Sequence, residues 1–214
     1  MNHSLASDRL SQFLDSFKLL SSDDLVILLK SFKSLQSKRN QLVVSCVESN
    51  QCLYFVADGL LRQYSYLPSK HQQDAIIDRG FVLSSHFCLS ASSFGQTKTQ
   101  LIHSETIKRT FLLYINKSQL DALFVQIPAL QALFSQLMQH YFFEMERLNC
   151  ILHMPNGQMR YEYYCHYFSK QVKEVPDKYI ALFLHISPSE LSRIRSRISK
   201  GHQLMAFSPL SLFD

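Results

Sequence analysis

The chain has 214 residues, of which 46% are hydrophobic and 18% charged, and a formal net charge of +5. That length can bury one or two cores, and the composition excludes a disordered or low-complexity chain. Five scattered cysteines without a Cys-x-x-Cys pair, and nine histidines without His-x₃-His or His-Glu-x-x-His spacing, point to reduced thiols and away from a zinc or iron–sulfur site.

The N-terminus lacks a charged-then-apolar leader pattern, and no run of about 18 apolar residues follows, so a cytoplasmic chain without a membrane span is expected. Two helices come first. Leu10, Phe13, Leu14 and Phe17 fall at i, i+3, i+4 and i+7, and Leu25, Leu28, Leu29 and Phe32 repeat the spacing after a Ser22-Asp23-Asp24 cap. The period then changes. Runs rich in Val, Ile, Leu, Tyr and Phe at 41–47, 52–57, 60–66, 73–78, 99–104 and 111–115 predict short strands of an antiparallel roll or barrel. Asp58-Gly59 joins two of these runs and predicts a type I′ hairpin, which needs positive φ at both central residues.

Pro128 opens a long helix in which Leu130, Leu133, Leu137, Tyr141, Met145, Leu148 and Leu152 recur every three or four residues, with Phe134, Met138 and Phe142 widening the stripe. Such a stripe predicts a coiled-coil dimer seam; the alternative is a helix packed wholly against its own domain. Met154-Pro155-Asn156-Gly157 breaks the helix and marks a domain boundary, after which Tyr161, Tyr164, Cys165 and Phe168 indicate another helix.

The segment 176–198 reads as two short helices joined by a tight turn. Pro176 suits the first turn of the leading helix. Ser187 caps the second, with Pro188 at its first position and Glu190 three residues after the cap, a capping box. Ala181 is small where the helices would cross, and Leu191 and Ile194 point back at Ile180 and Leu184. Ser189, Glu190, Ser192, Arg193, Arg195 and Arg197 stay outside this mini-core, with Lys178 and Ser187 near the helix starts. A helix over 188–199 would present such residues to the DNA major groove. Between residues 155 and 200, eight basic residues stand against four acidic, so most of the positive excess lies here and suits a polyanion. No nucleophile elbow, Gly-rich phosphate loop, metal-ligand spacing or carboxylate pair supports catalysis, so an enzyme is not expected.

Taken in order, these segments resemble the Crp/Fnr family of bacterial transcription regulators, most closely the short wingless form of Bacteroidetes-type bacteria. The resemblance is carried by Tyr54-Phe55-Val56, Gly59, Leu61-Arg62 and Tyr64; by Ile127-Pro128-x-Leu130; by Arg160-Tyr161; and by Ile180-Ala181, Leu184, Ile186-Ser187-Pro188 and Leu191-Ser192-Arg193-Ile194-Arg195. It implies an α+β chain. N-terminal helices and an antiparallel β-roll of the cyclic-nucleotide-binding type would form a sensing domain over 1–127. A dimerisation helix over 128–153 and a helix-turn-helix domain over 154–214 would follow. It further implies a homodimer on double-stranded DNA, engagement of RNA polymerase, an unidentified small-molecule effector or none, and no cofactor.

The chain departs from that family pattern in several places. Members that bind cyclic AMP resemble one another in a Gly-Glu pair for the ribose and a following Arg-Ser or Arg-Thr for the cyclic phosphate. Here residues 79–104 contain no Asp or Glu. Lys98-Thr99 stands at the Arg-Ser position and is the candidate effector contact, but Lys cannot make the bidentate phosphate contact. Each lost charged partner costs about 1.5–3 kcal/mol, so cyclic AMP is not expected as a ligand. Phe81, Val82, Leu83, Phe87 and Phe94 either shape a pocket for an apolar effector or simply fill the roll. His71, His86 and His103 are the roll histidines that a haem sensor would draw on. His185 replaces a frequent turn Gly, which the left-handed region tolerates, and Ser189 stands where Glu is common. Arg193 matches the base-reading Arg, the residue most often found bidentate to guanine. The residues after Ile198 leave no room for a full wing. Two functional readings remain: a homodimeric DNA-reading regulator, or a signalling module whose C-terminal domain no longer binds specific DNA.

Overall fold

The structure, a computed structural model, describes residues 1–44, 52–67, 75–89 and 102–199. Helix α1 (His3–Asp15) starts at Asn2, whose side chain accepts the Leu5 N–H, and it buries Ala6, Leu10 and Leu14 at helical spacing. Helix α2 (Ser22–Lys30) is capped by Ser21, one residue ahead of expectation, through a 3.1 Å bond from the Asp24 N–H. Asp23 and Asp24 then lie in the first turn, where the helix dipole favours them.

Among the described residues eight strands follow: β1 (Lys33–Ser37), β2 (Leu42–Val44), β3 (Cys52–Asp58), β4 (Leu60–Leu67), β5 (Ala75–Leu83), β6 (His86–Cys88), β7 (His103–Thr106) and β8 (Thr110–Asn116). They form two four-stranded antiparallel sheets, ordered β1-β8-β3-β6 and β2-β7-β4-β5. The alternation of β3 explains why the sheets stack. Leu53, Phe55 and Ala57 enter a core shared with α1 and α2, whereas Tyr54 and Val56 meet Leu61, Val82, Cys88 and Leu112 in a second cluster.

The expected hairpin at Asp58-Gly59 is corrected. β3 pairs with β6 and β8 while β4 pairs with β5 and β7, so this dipeptide is a corner between sheets. Only Gly59 has positive φ there (130°), and a Cβ on it would collide with the Thr110 side chain. Strand β5 also outruns expectation. A bulge opposite Gln63 and Tyr64, with Gly80 at φ 146°, carries it past Asp78 to Leu83. Of the expected runs, residues 45–47, 73–74 and 99–101 lie outside the described residues.

Helix α3 (Lys117–Gln126), capped by Asn116, leads to α4 (Ala129–Leu152) directly after Pro128. The chain divides into two compact units, Met1–Phe143 and Glu144–Asp214. In the first, Leu130, Leu133 and Leu137 sink into the core with Leu10, Leu14 and Leu113, and Tyr141 packs against it. This corrects the expected seam: these leucines face their own protomer, and Leu148 is buried too, leaving Met145 and Leu152 partly exposed. The flank left open is that of Met138 and Phe142. The second unit continues with α5 (Gly157–Tyr167), α6 (Ser169–Glu174), α7 (Asp177–Phe183) and α8 (Pro188–Ser199), where α8 packs on α5 and α7. Among the described residues, no helix is long and apolar enough to cross a membrane.

Candidate functional site

The C-terminal helix pair is built as its sequence pattern requires. Ile180, Ala181 and Leu184 of the leading helix, and Leu191 and Ile194 of α8, are all buried. α7 ends in a Schellman motif: the Ile186 N–H reaches Ala181 O at 3.0 Å, and the His185 N–H reaches Leu182 O at 3.1 Å. His185 takes the left-handed conformation (φ 53°) where the resemblance expects glycine. Ser187 then caps α8, its hydroxyl accepting the Glu190 N–H at 3.1 Å. The reciprocal half of the expected capping box is replaced: the half-buried Glu190 carboxylate lies over Gly157, where it would sit 2.7 Å from an added Cβ.

Arg160 holds this turn and was not singled out for that role by its sequence context. Its Nε donates to Leu184 O at 2.8 Å, Nη1 to Met154 O at 2.9 Å and Nη2 to His185 O at 3.4 Å. One side chain thus satisfies carbonyls at two chain breaks. Only the spacing of Arg160 after the Met154–Gly157 break could have suggested it.

The expected DNA-binding residues separate into two groups. Ser189, Ser192, Arg193 and Arg197 are exposed on α8, and Lys178 is exposed on α7 with its ammonium over the Tyr179 ring at 4.5 Å. Ser187 is exposed, but its hydroxyl serves the cap and contacts Ser189 Oγ at 3.0 Å. Arg195 does not join that exposed face. Its Nε donates to the Tyr161 hydroxyl at 2.8 Å, its Nη1 to Asp177 at 2.7 Å, and its guanidinium lies over the Tyr161 ring. It braces α8 to α5 and α7. Burial, then the neighbouring Cys165 thiol, pushes the Tyr161 hydroxyl up to about 12, so it remains protonated at neutral pH. Between the start of α5 and α8 lies a cleft of about 410 Å³, bordered by Asn156, Gly157, Arg193 and Arg197. The Glu190 carboxylate lines the same cleft, so its charge is mixed.

In the roll, Lys98 and Thr99, the candidate effector contacts, lie outside the described residues, as do His71 and Phe94. Phe87 stacks edge-on to Phe13 and Phe55, at 5.6 and 5.1 Å, so it fills the core. Phe81, Val82 and Leu83 are buried likewise. The sheet β2-β7-β4-β5 carries an unforeseen ion cluster. Arg62 of β4 is bidentate to Asp78 of β5, with Nη2 3.0 Å from Oδ2, and its Nη1 lies 3.1 Å from Glu105 of β7. Burial alone would lower the Arg62 pKa; Asp78 and then Glu105 outweigh it and raise it. Tyr64 stacks on His103, whose imidazole is lowered by burial, and His86 Nδ1 lies 2.9 Å from Ser84 O. Among the described residues, no group of three or more His, Cys, Asp or Glu side chains is placed to hold a metal ion.

No protein-family model matches the chain, and no curated protein matches its sequence. Solved structures match its fold. FixK2 from Bradyrhizobium japonicum superposes with a TM-score of 0.64 at 13% identity, over 79% of this chain and 85% of that one. The c-di-GMP responsive global regulator CLP of Xanthomonas campestris gives 0.64 at 15% identity, over 84% and 92%. A chain from Eubacterium rectale assigned to the Crp/Fnr family of transcriptional regulators gives 0.62 at 16% identity, over 89% of each. The α+β fold of N-terminal helices, antiparallel roll, long helix and helical C-terminal part is the fold of Crp/Fnr-type regulators. At these identities the likeness is one of fold, and function has to be argued from the site.

Proposed function

We propose that this chain is a homodimeric, DNA-binding transcription regulator of the Crp/Fnr type. In this reading residues 1–127 sense, 128–153 dimerise and 154–214 read DNA. The observation that carries it is the face of α8: Arg193, Arg197 and three serines lie exposed opposite the buried Leu191 and Ile194, on a helix started by Ser187 and a tight Schellman turn. That is the build of a helix that enters a major groove. Dimerisation is supported by Met138 and Phe142, exposed on α4, whose spacing continues through Met145, Asn149 and Leu152 in alternating steps of four and three. RNA polymerase is the partner that a promoter-bound regulator of this type would engage. The deciding experiment is a gel-shift series on DNA selected from a random pool. A regulator gives a specific complex whose affinity falls steeply with salt, whereas uniform weak binding to every sequence would reject the reading.

The two arginines two positions apart on α8 should behave oppositely. Arg193→Ala is expected to cost about 1–3 kcal/mol of specific binding and to leave thermal stability unchanged. Arg195→Ala should cost about 1–2 kcal/mol of folding stability, discounted for its partial exposure, and leave the selected consensus intact. Paired melts and selections on both variants check this, and a shared pattern would contradict the assignment.

Cyclic AMP is not the effector in this proposal, because residues 79–104 offer the ribose no carboxylate. A ligand at a hundred times its dissociation constant would add about 2.7 kcal/mol to stability. Melts with millimolar cyclic AMP or cyclic GMP are therefore expected to superpose on the melt without nucleotide, and a rise of several degrees with either would refute this.

A further inference from the structure

We infer that Asn149 is the register lock of the α4 seam: it bonds its own counterpart in a second copy of this chain and holds the two helices parallel and in step. The inference rests on the dimer proposed above and names the alignment that dimer takes.

On the C-terminal half of α4, Leu148 and Ile151 are buried, Met145 and Leu152 are half-buried, and Asn149 between them is exposed. Together with Met138 and Phe142, the outer three fall at steps of four, three, four and three, the spacing of the d and a positions of a coiled coil. Asn149 is the one polar member of that stripe, and it takes an a position as Phe142 does. Its backbone carbonyl stays in the helix, 2.8 Å from His153 Nδ1, so its side-chain amide is the group a partner helix would meet.

An amide is self-complementary. Its carbonyl accepts and its amino group donates, so two copies facing each other across a two-fold axis can exchange N–H···O bonds. A second copy is therefore the partner that suits this face. An unrelated apolar partner would cover Met145 and Leu152 but leave the amide unmet.

The same reasoning selects the alignment. Parallel and in register, Asn149 meets Asn149, and Phe142, Met145 and Leu152 each meet their own counterparts. A slip of one heptad sets Asn149 against Phe142, and antiparallel pairing sets it against Met138, Met145 or Leu152. Each of these buries the amide against an apolar side chain, a cost that only the in-register pairing avoids. Orientation matters to DNA reading. Parallel pairing brings both C-terminal units to the same end of the paired helices, as two adjacent half-sites require, whereas antiparallel pairing would send them to opposite ends.

The test uses the full chain with a thiol reporter. Met145→Cys places a cysteine at a d position, where parallel helices in register bring two thiols together, so mild oxidation with diamide is expected to link the dimer covalently. The wild type is the control: its exposed Cys150 stands about 100° round the helix from Asn149 and should not link. Adding Asn149→Leu to the reporter is expected to tighten self-association about tenfold, because an apolar pair replaces a buried amide pair. The linked fraction should nevertheless fall by about half or more, as other alignments become open. Sedimentation reads the first effect and non-reducing gels the second. A Met145→Cys dimer that stays unlinked would overturn the parallel register. An Asn149→Leu reporter that links as fully as its parent, or that associates more weakly, would overturn the role of Asn149. A monomeric wild type would overturn this inference and the dimeric regulator together, whereas a linked dimer that selects no DNA sequence would overturn only the regulator.

Discussion

Asp78→Ala is expected to lower the unfolding free energy by about 3–5 kcal/mol, because it removes the two-bond partner of a buried guanidinium. Arg62 is 9% exposed and links three neighbouring strands of one sheet. It lies opposite Glu105 in the register, and Asp78 lies opposite Tyr64, whose ring sits 5.0 Å from the guanidinium. Removing Asp78 takes away the two-bond partner, and the neighbouring Glu105, 3.1 Å from Nη1, is itself a quarter exposed. The double variant Arg62→Met/Asp78→Leu should recover most of that loss, since replacing both charges by apolar groups avoids their desolvation. Urea unfolding of the three proteins at pH 7 measures this. A single variant within about 1 kcal/mol of wild type would show that the cluster carries no net burden of buried charge.

The cluster also shows where sequence reasoning stops. Gly59-x-Leu61-Arg62-x-Tyr64 was legible as part of a family resemblance, but nothing local to β4 tells that Arg62 meets carboxylates 16 and 43 residues away. Elements with a strong apolar period, such as β3, β8 and α8, lie close to their expected bounds, whereas α1 starts at His3 and ends at Asp15, ahead of the expected Phe17. Strand β1 was missed because Lys33-Ser34-Leu35-Gln36 is exposed and carries almost no apolar signal. It is a strand only because β8 supplies a partner along its whole length. The Asp58-Gly59 corner has the composition of a hairpin turn, and only the sheet pairing distinguishes the two. In the candidate site, exposure of Ser189, Ser192, Arg193 and Arg197 follows from helical geometry around Leu191 and Ile194. The diversion of Arg195 does not, since it depends on Tyr161 and Asp177 arriving from two other helices.

Phe142→Glu is expected to convert a dimer into a monomer without unfolding the protomer. Phe142 is 59% exposed and Met138 36% exposed, whereas Leu137, one residue round, is 5% exposed within the core. Leu137→Glu would therefore bury a carboxylate among apolar groups and unfold the first unit, so it cannot probe association. Phe142 instead lies on the stripe through Met138, Met145, Asn149 and Leu152, whose average step of 3.5 residues keeps one face turned toward a partner helix. In a two-fold dimer the same patch contributes from both copies, so each substitution places two like charges against each other. The melting profile should stay near wild type, because an exposed side chain is removed. Specific DNA affinity should fall about a hundredfold or more, since each half-site would have to be bound without its linked neighbour. Phe143→Glu is the control. Phe143 is 50% exposed but turned roughly 100° from Phe142, so this variant should stay dimeric and bind normally. Light scattering at micromolar concentration decides the matter: a monomeric wild type, or a Phe142→Glu variant that remains dimeric, would remove α4 as the dimer seam.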